Sequence, residues 1–129
     1  MITLPIFGKI KKKDFIFEGD RLVIFRDGFP ISPGHTLIVP KRAVECFMLL
    51  GKDERDELIW MVDWVMGDLD VSLPIRPDGF NVGFNEGHAA GQTMLQFHCH
   101  VIPRYRGDVK DPRGGIRHVI PKKAKYWKK

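Results

Sequence analysis

The stretch LQFHCHVIPRY, Leu95 to Tyr105, sets Gln96, His98 and His100 at every second position among apolar residues. Successive strand side chains point to opposite faces, so this spacing puts three polar groups in one row and turns Phe97, Cys99 and Val101 toward a core. An imidazole is a nucleophile near neutral pH when a hydrogen bond to one ring nitrogen fixes the tautomer and exposes the other. His98, in the middle of the row, has potential supporters on either side. Attack on a phosphate also needs donors for its oxygens. The preceding NEGHAAGQT offers them: Gly87 and Gly91 allow close backbone approach, and Gln92 and Thr93 carry side-chain donors.

Other readings of the same residues stand beside this one. Paired histidines on a strand also serve as metal ligands, and His35 could join His98 and His100. Against that, no carboxylate lies next to them in sequence, and Gln96 is a poor transition-metal ligand. Asn85-Glu86-Gly87 and Asp27-Gly28 read equally as turns, and Gly91 as a hairpin hinge. The candidate pocket residues fall between Asp27 and His100.

These residues need a scaffold. Phe15–Phe17 and Arg21–Phe25 read as short strands around the turn-forming Glu18-Gly19-Asp20, a hairpin. RDGFPISPGH is rich in turn residues and leads into His35–Val39, a β-branched run stopped by Pro40. From Asp53 the period changes: Leu58, Met61, Val62, Val65 and Leu69 mark one face of a helix, with Asp53, Glu54, Asp56 and Glu57 at its positive N-terminal end. Phe80, Val82 and Phe84 then alternate with Asn81, Gly83 and Asn85, a strand whose second face is small and polar enough for a ligand to approach closely. The histidine stretch forms the last core strand. Helices segregated to one side of a mostly antiparallel sheet of about five strands make an α+β fold.

The 129 residues fit one domain, positions 1–129, with 105–129 as a charged C-terminal extension. A hydrophobic fraction of 43% with 29% charged residues is that of a globular protein, and no apolar run has the length of a membrane span. The N-terminal MITLPIFGKIKKKDF does not read as a secretion signal, so a cytoplasmic location is expected. Cys46 and Cys99 are the only cysteines, which suggests neither a disulfide framework nor a thiolate zinc site, and Cys99 reads as core packing. The net charge of +5 is local: Arg117 to Lys129 holds six Lys and Arg and no acid, and the remaining basic residues nearly match the 16 acids. Such a tail can touch phosphates non-specifically or be a solvated terminus, and no nucleic-acid module accompanies it.

Taken together and in order, SPGHTLIVPKR, NEGHAAGQT and QFHCHVIPR resemble successive blocks of the histidine triad family of nucleotide hydrolases and transferases, from about Asp27 to Arg104. The tail block GDVKDPRGGIRHVIPKK is similar to that of bacterial members often labelled diadenosine tetraphosphate hydrolases. The resemblance implies a nucleotide substrate, either a dinucleoside polyphosphate or a nucleoside phosphoramidate. It also implies attack on the α-phosphate by His98 through a nucleotidyl-histidine intermediate, and a homodimer that extends the sheet. It gives His100 and His35 supporting places, Asp27 the ribose hydroxyls, and Asn85, Gln92 and Thr93 the phosphates, with Gly91 counted among the nucleotide-binding residues. No metal or cofactor is expected to be built in, although a polyphosphate substrate can bring a divalent cation such as magnesium with it. The departure from the pattern is Gln96, where the family's first triad histidine stands. Gln hydrogen-bonds but carries no proton or charge, so leaving-group protonation is the step it touches, and a nucleotide-binding module with lost turnover is the alternative.

Overall fold

The computed structural model describes residues 2–4 and 7–127; Met1, Pro5 and Ile6 of the N-terminal stretch and Lys128 and Lys129 of the basic tail lie outside the described residues. An N-terminal pair, β1 (Ile2–Leu4) and β2 (Gly8–Ile10), forms a small antiparallel ribbon not foreseen in the sequence. The hairpin β3 (Phe15–Glu18) and β4 (Leu22–Arg26) follows, then β5 (Thr36–Pro40), the helix α1 (Lys52–Ser72), β6 (Gly79–Gly83) and β7 (Cys99–Arg104). These five strands make one antiparallel sheet in the order β3-β4-β5-β7-β6.

The helix lies where its periodicity puts it. Leu58, Met61, Val65 and Leu69 are buried at intervals of three and four, against Leu22, Ile24, Ile38, Cys99 and Val101 of the sheet. Gly51 is the N-cap, and its own N–H donates to the Glu54 carboxylate (2.8 Å), one turn in. Burial pushes the Cys99 thiol up to about 11, while Cys46, in the loop before α1, is partly exposed. The opposite sheet face carries a second cluster of Val23, Phe25, Leu37 and Val39, covered by Phe7, Ile10 and Phe15.

Two expectations are corrected. The histidine stretch is not strand from Leu95: the β5–β7 ladder ends at the Ile38–Cys99 pair, so β7 begins at Cys99. Pro40 explains the stop, because it has no N–H to extend the ladder. Its carbonyl instead accepts from the Gln96 side chain (2.8 Å), while the Phe97 N–H turns to the Val44 carbonyl (2.8 Å). Second, helical structure is not confined to one side. The C-terminal segment folds into a 3-10 turn (Gly115–Val119) and a short α2 (Pro121–Ala124), and Ile116 comes to the Gly83 face of the sheet, away from α1.

One carboxylate of α1 binds the hairpin's main chain directly. Glu57 Oε2 accepts both the Arg21 N–H (2.9 Å) and the Leu22 N–H (2.7 Å), two donors just past the hairpin turn. Glu57→Ala should lower unfolding stability by about 1–3 kcal/mol, and Glu57→Gln by less because its amide oxygen still accepts. Urea unfolding of the two variants checks the order.

Candidate active site

The site is built on the sheet face away from α1, where the paired residues Leu37, His100 and Gly83 of β5, β7 and β6 stand side by side. His98 comes just before β7, at the point where the chain has left the ladder. Its Nδ1 lies 2.9 Å from the backbone carbonyl of Gln96. A carbonyl only accepts, so Nδ1 carries the proton and Nε2 keeps its lone pair. The Phe7 ring stands edge-on to the His98 imidazole, with centroids 5.4 Å apart, and limits its rotation.

The other two histidines form a directed chain. The Ile31 N–H donates to His35 Nδ1 (3.2 Å), which leaves the His35 proton on Nε2. That nitrogen is 2.8 Å from His100 Nδ1, so His35 donates and His100 accepts. The remaining His100 proton then sits on Nε2. Burial, aided by the neighbouring His98 and His35, pulls His100 down to about 4, and burial lowers His35 as well, with the Asp27 carboxylate opposing it. Both rings are therefore neutral at pH 7, as the chain requires. The arrangement offers a lone pair on His98 and an N–H donor on His100.

The loop before β5 fixes this chain. Gly34 adopts φ +91°, and a Cβ there would lie 2.8 Å from Leu73 Cδ1 and 3.1 Å from Leu69 Cδ2, so only glycine lets the loop pass this close to the end of α1. Ser32 Oγ donates to the Pro103 carbonyl and the Tyr105 hydroxyl to the Pro33 carbonyl (2.8 Å each), clamping the loop to the end of β7. Asp27 is held by an Asx turn, its Oδ1 accepting the Phe29 N–H (2.8 Å), while Oδ2 lies 3.4 Å from His35 Nε2.

Two cavities meet at His100. One, of about 860 Å³, is walled by Phe7, Ile10, Phe25 and Leu37, with Asp27, His98 and His100 on its border. The second, of about 690 Å³, runs from His35 and His100 past Asn85 to Ile116, Val119 and Ile120.

Among the anticipated residues, Asp27, His35, His98 and His100 come together. Gln96 does not join their row. It is fully buried, its side chain is directed to Pro40, and it lines neither cavity. It acts on the site through its main-chain carbonyl. Gln92 also departs from expectation: its Nε2 donates to the Glu45 and Met94 carbonyls (2.8 and 3.1 Å) and its Oε1 accepts the Gly87 N–H (2.9 Å). Its amide ties the loop together and has no donor left for a phosphate. Gly91 takes the left-handed conformation that closes the loop (φ +94°), Thr93 is exposed, and Asn85 is exposed at the second cavity. Reading the pocket as Asp27 to His100 missed Phe7 and Ile10 at one end and Ile116, Val119 and Ile120 at the other. The isoleucines sit in the GGIRHVIPKK block, whose exposed apolar residues amid charges were the available signal.

Asp27, His35 and His100 also bring one ligand atom each within 4.8 Å of one another, a set able to hold a metal ion. His35 Nδ1 already accepts the Ile31 N–H, so an ion there would take His35 through Nε2, the nitrogen that donates to His100. It would thus replace the imidazole chain rather than add to it.

The His100 shift makes a stability prediction. Its folded value, about 4, lies below the 6.5 of an unperturbed imidazole, so between these values the unfolded chain holds the extra proton. Stability should therefore fall as pH drops from about 6.5 to about 4 and gain nothing further from this group above that window. Urea unfolding across pH 4–7 should show a shallower slope in His100→Asn than in the parent chain.

Comparison with known proteins agrees with this geometry. The HIT domain model matches residues 9–107. An uncharacterised HIT-like protein of Methanocaldococcus jannaschii is 38% identical over 105 residues, covering 80% of this chain and 77% of that one. An AP-4-A phosphorylase of Mycobacterium tuberculosis is 39% identical over 82 residues, 62% of this chain and 40% of its own length. The crystal structure of a hypothetical histidine triad nucleotide-binding protein from Sulfolobus tokodaii superposes with a TM-score of 0.64 at 31% identity, over 73% of this chain and 62% of that one. The fold, the imidazole cluster and these likenesses lead to one conclusion: the chain belongs to the HIT domain family.

Proposed function

We propose that this protein is a nucleotide phosphohydrolase or nucleotidyl transferase that attacks the α-phosphate of a dinucleoside polyphosphate or nucleoside phosphoramidate with His98 Nε2. The observation that carries the proposal is the Nδ1 hydrogen bond of His98 to the Gln96 carbonyl, which leaves the second nitrogen as a lone pair at the cavity border. The base occupies the apolar cavity among Phe7, Ile10, Phe25 and Leu37, and Asp27 meets the ribose hydroxyls. His100 Nε2–H donates to a non-bridging phosphoryl oxygen.

The covalent cycle follows. The Nε2–P bond forms as the bond from phosphorus to the leaving group breaks, and the electron pair departs with the leaving group. A basic leaving group takes a proton from water, since His100 is neutral and has none to spare. Water then attacks phosphorus, returns the pair to His98, and releases the nucleoside monophosphate; hydrolysis consumes one water in all. A divalent cation such as magnesium, carried by a polyphosphate substrate, would offset negative charge that His98 must approach. The protein acts as a homodimer in this reading, supported by the open edge of β6 and by Ile59 and Trp60, exposed on α1.

His98→Ala should reduce turnover on the order of 10³-fold or more while nucleotide binding persists. Mass spectrometry after alkaline quench should find the nucleotidyl group on His98 of the parent; turnover without that adduct, or turnover retained within tenfold in the variant, sinks the covalent reading. Gln96→His should not improve basic leaving groups, because position 96 faces Pro40 and not the substrate. It should lower every rate by a similar factor, up to about 10²-fold, as displacement of the Gln96 carbonyl shifts His98. Rates across a leaving-group series test this.

A further inference from the structure

The walls of the cavity over β4 and β5 are apolar, and the charged side chains at its border decide which base it takes. Two of them are already engaged. Arg26 donates to Thr36 Oγ1 (2.6 Å) and pairs with Asp68 (3.7 Å), while Asp27 is held by the Phe29 N–H and His35. Three remain, Lys11, Lys13 and Asp14, all on one short stretch of chain. That stretch is a 3-10 turn, Lys12–Asp14, closed by the Asp14 N–H donating to the Lys11 carbonyl (2.8 Å). Ile10 before it and Phe15 after it both pack on the Val23, Phe25, Leu37 and Val39 cluster, so the turn is pinned at both ends. Lys12 is drawn away from its neighbours to Glu18 (3.3 Å). Among the described residues, no side chain partners the Asp14 carboxylate or the Lys11 and Lys13 ammonium groups.

With the ribose at Asp27 and the α-phosphate at His98 and His100, the part of a nucleotide left to meet these three groups is the hydrogen-bonding edge of its base. A carboxylate only accepts, and its two oxygens suit two parallel donors. Guanine alone among the common bases presents two donors side by side, N1–H and the N2 amino group, with the acceptor O6 next to them for a lysine. Adenine would turn its N1 lone pair toward the carboxylate, and cytosine and uracil each bring a single donor position. A further phosphate would suit the lysines but would set its charge against Asp14, whereas guanine uses all three groups.

We propose that the Lys11–Asp14 turn reads the base and makes the protein selective for guanine nucleotides, Asp14 accepting from N1–H and N2 and a lysine donating to O6. This rests on the placement of the nucleoside in this cavity. All three side chains are exposed, so water competes for the same groups and the discrimination is modest.

Calorimetric titration of the full chain with GMP, IMP and AMP tests this without any turnover. GMP should bind roughly tenfold or more tighter than AMP, and roughly threefold or more tighter than IMP, which keeps O6 and N1–H but lacks the N2 amino group. Asp14→Asn, at an exposed position, should bring the GMP to IMP ratio close to one. Lys11→Ala together with Lys13→Ala should weaken GMP more than AMP. Equal binding of the three nucleotides by the parent, a GMP preference that survives Asp14→Asn, or an equal loss of GMP and AMP in the lysine variant overturns the base reading with the nucleotide site intact. Failure of all three to bind would instead overturn the placement of the nucleoside beneath it. Guanine preference without an adduct on His98 would uphold the base reading and overturn only the covalent chemistry.

Discussion

The proton on His98 Nδ1 has one partner, the Gln96 carbonyl, and the chemistry of the site depends on that bond. It exists because the chain leaves the sheet one turn early. Pro40 offers no N–H, so β7 pairs no further than Cys99. The released Gln96 and Phe97 are caught by other partners, the Pro40 and Val44 carbonyls. Held at both its side chain and its neighbour, Gln96 has a carbonyl of fixed direction. A regular strand through the same residues would have given that carbonyl to the ladder and left the tautomer of His98 undetermined.

The pair of imidazoles His35 and His100 obeys the same logic from the other side of the site. A backbone N–H sets His35, and His35 sets His100. Each link works only with both rings neutral, and burial keeps them so. Neutrality has a cost in chemistry: His100 can donate a hydrogen bond but cannot give up a proton without becoming an anion. In the phosphoryl-transfer reading we propose, a site of this kind suits leaving groups that depart without help or that draw a proton from solvent.

Much of the fold could be read from the sequence because its signals are local. The helix of Leu58 to Leu69 and the β3–β4 hairpin follow from periodicity and turn residues, and the clustering of Asp27, His35, His98 and His100 from their motifs. The place of Gln96 could not be read that way. Alternation assumes a strand, and what ends this strand is a proline fifty-six residues away. Gln92 misled for a similar reason: an amide directly after the Gly87–Gly91 loop suggests a phosphate contact, whereas its partners, Glu45 and Met94 carbonyls and the Gly87 N–H, are visible only in three dimensions. The cavity walls supplied by Phe7 and by Ile116 come from opposite ends of the chain, beyond the reach of any motif.

The two thiols give the molecule a built-in asymmetry of labelling. Cys99 is buried with its thiol pushed up to about 11, so it is protected both sterically and by protonation from alkylating reagents. Cys46 is accessible, and it sits between Glu45, whose carbonyl accepts from Gln92, and Phe47, whose N–H donates to Glu86 (2.7 Å). A fluorophore or spin label on the wild-type chain therefore attaches beside the glycine-rich loop, with no engineered cysteine. The native sequence thus carries a labelling position next to the loop that the Gln92 amide ties together.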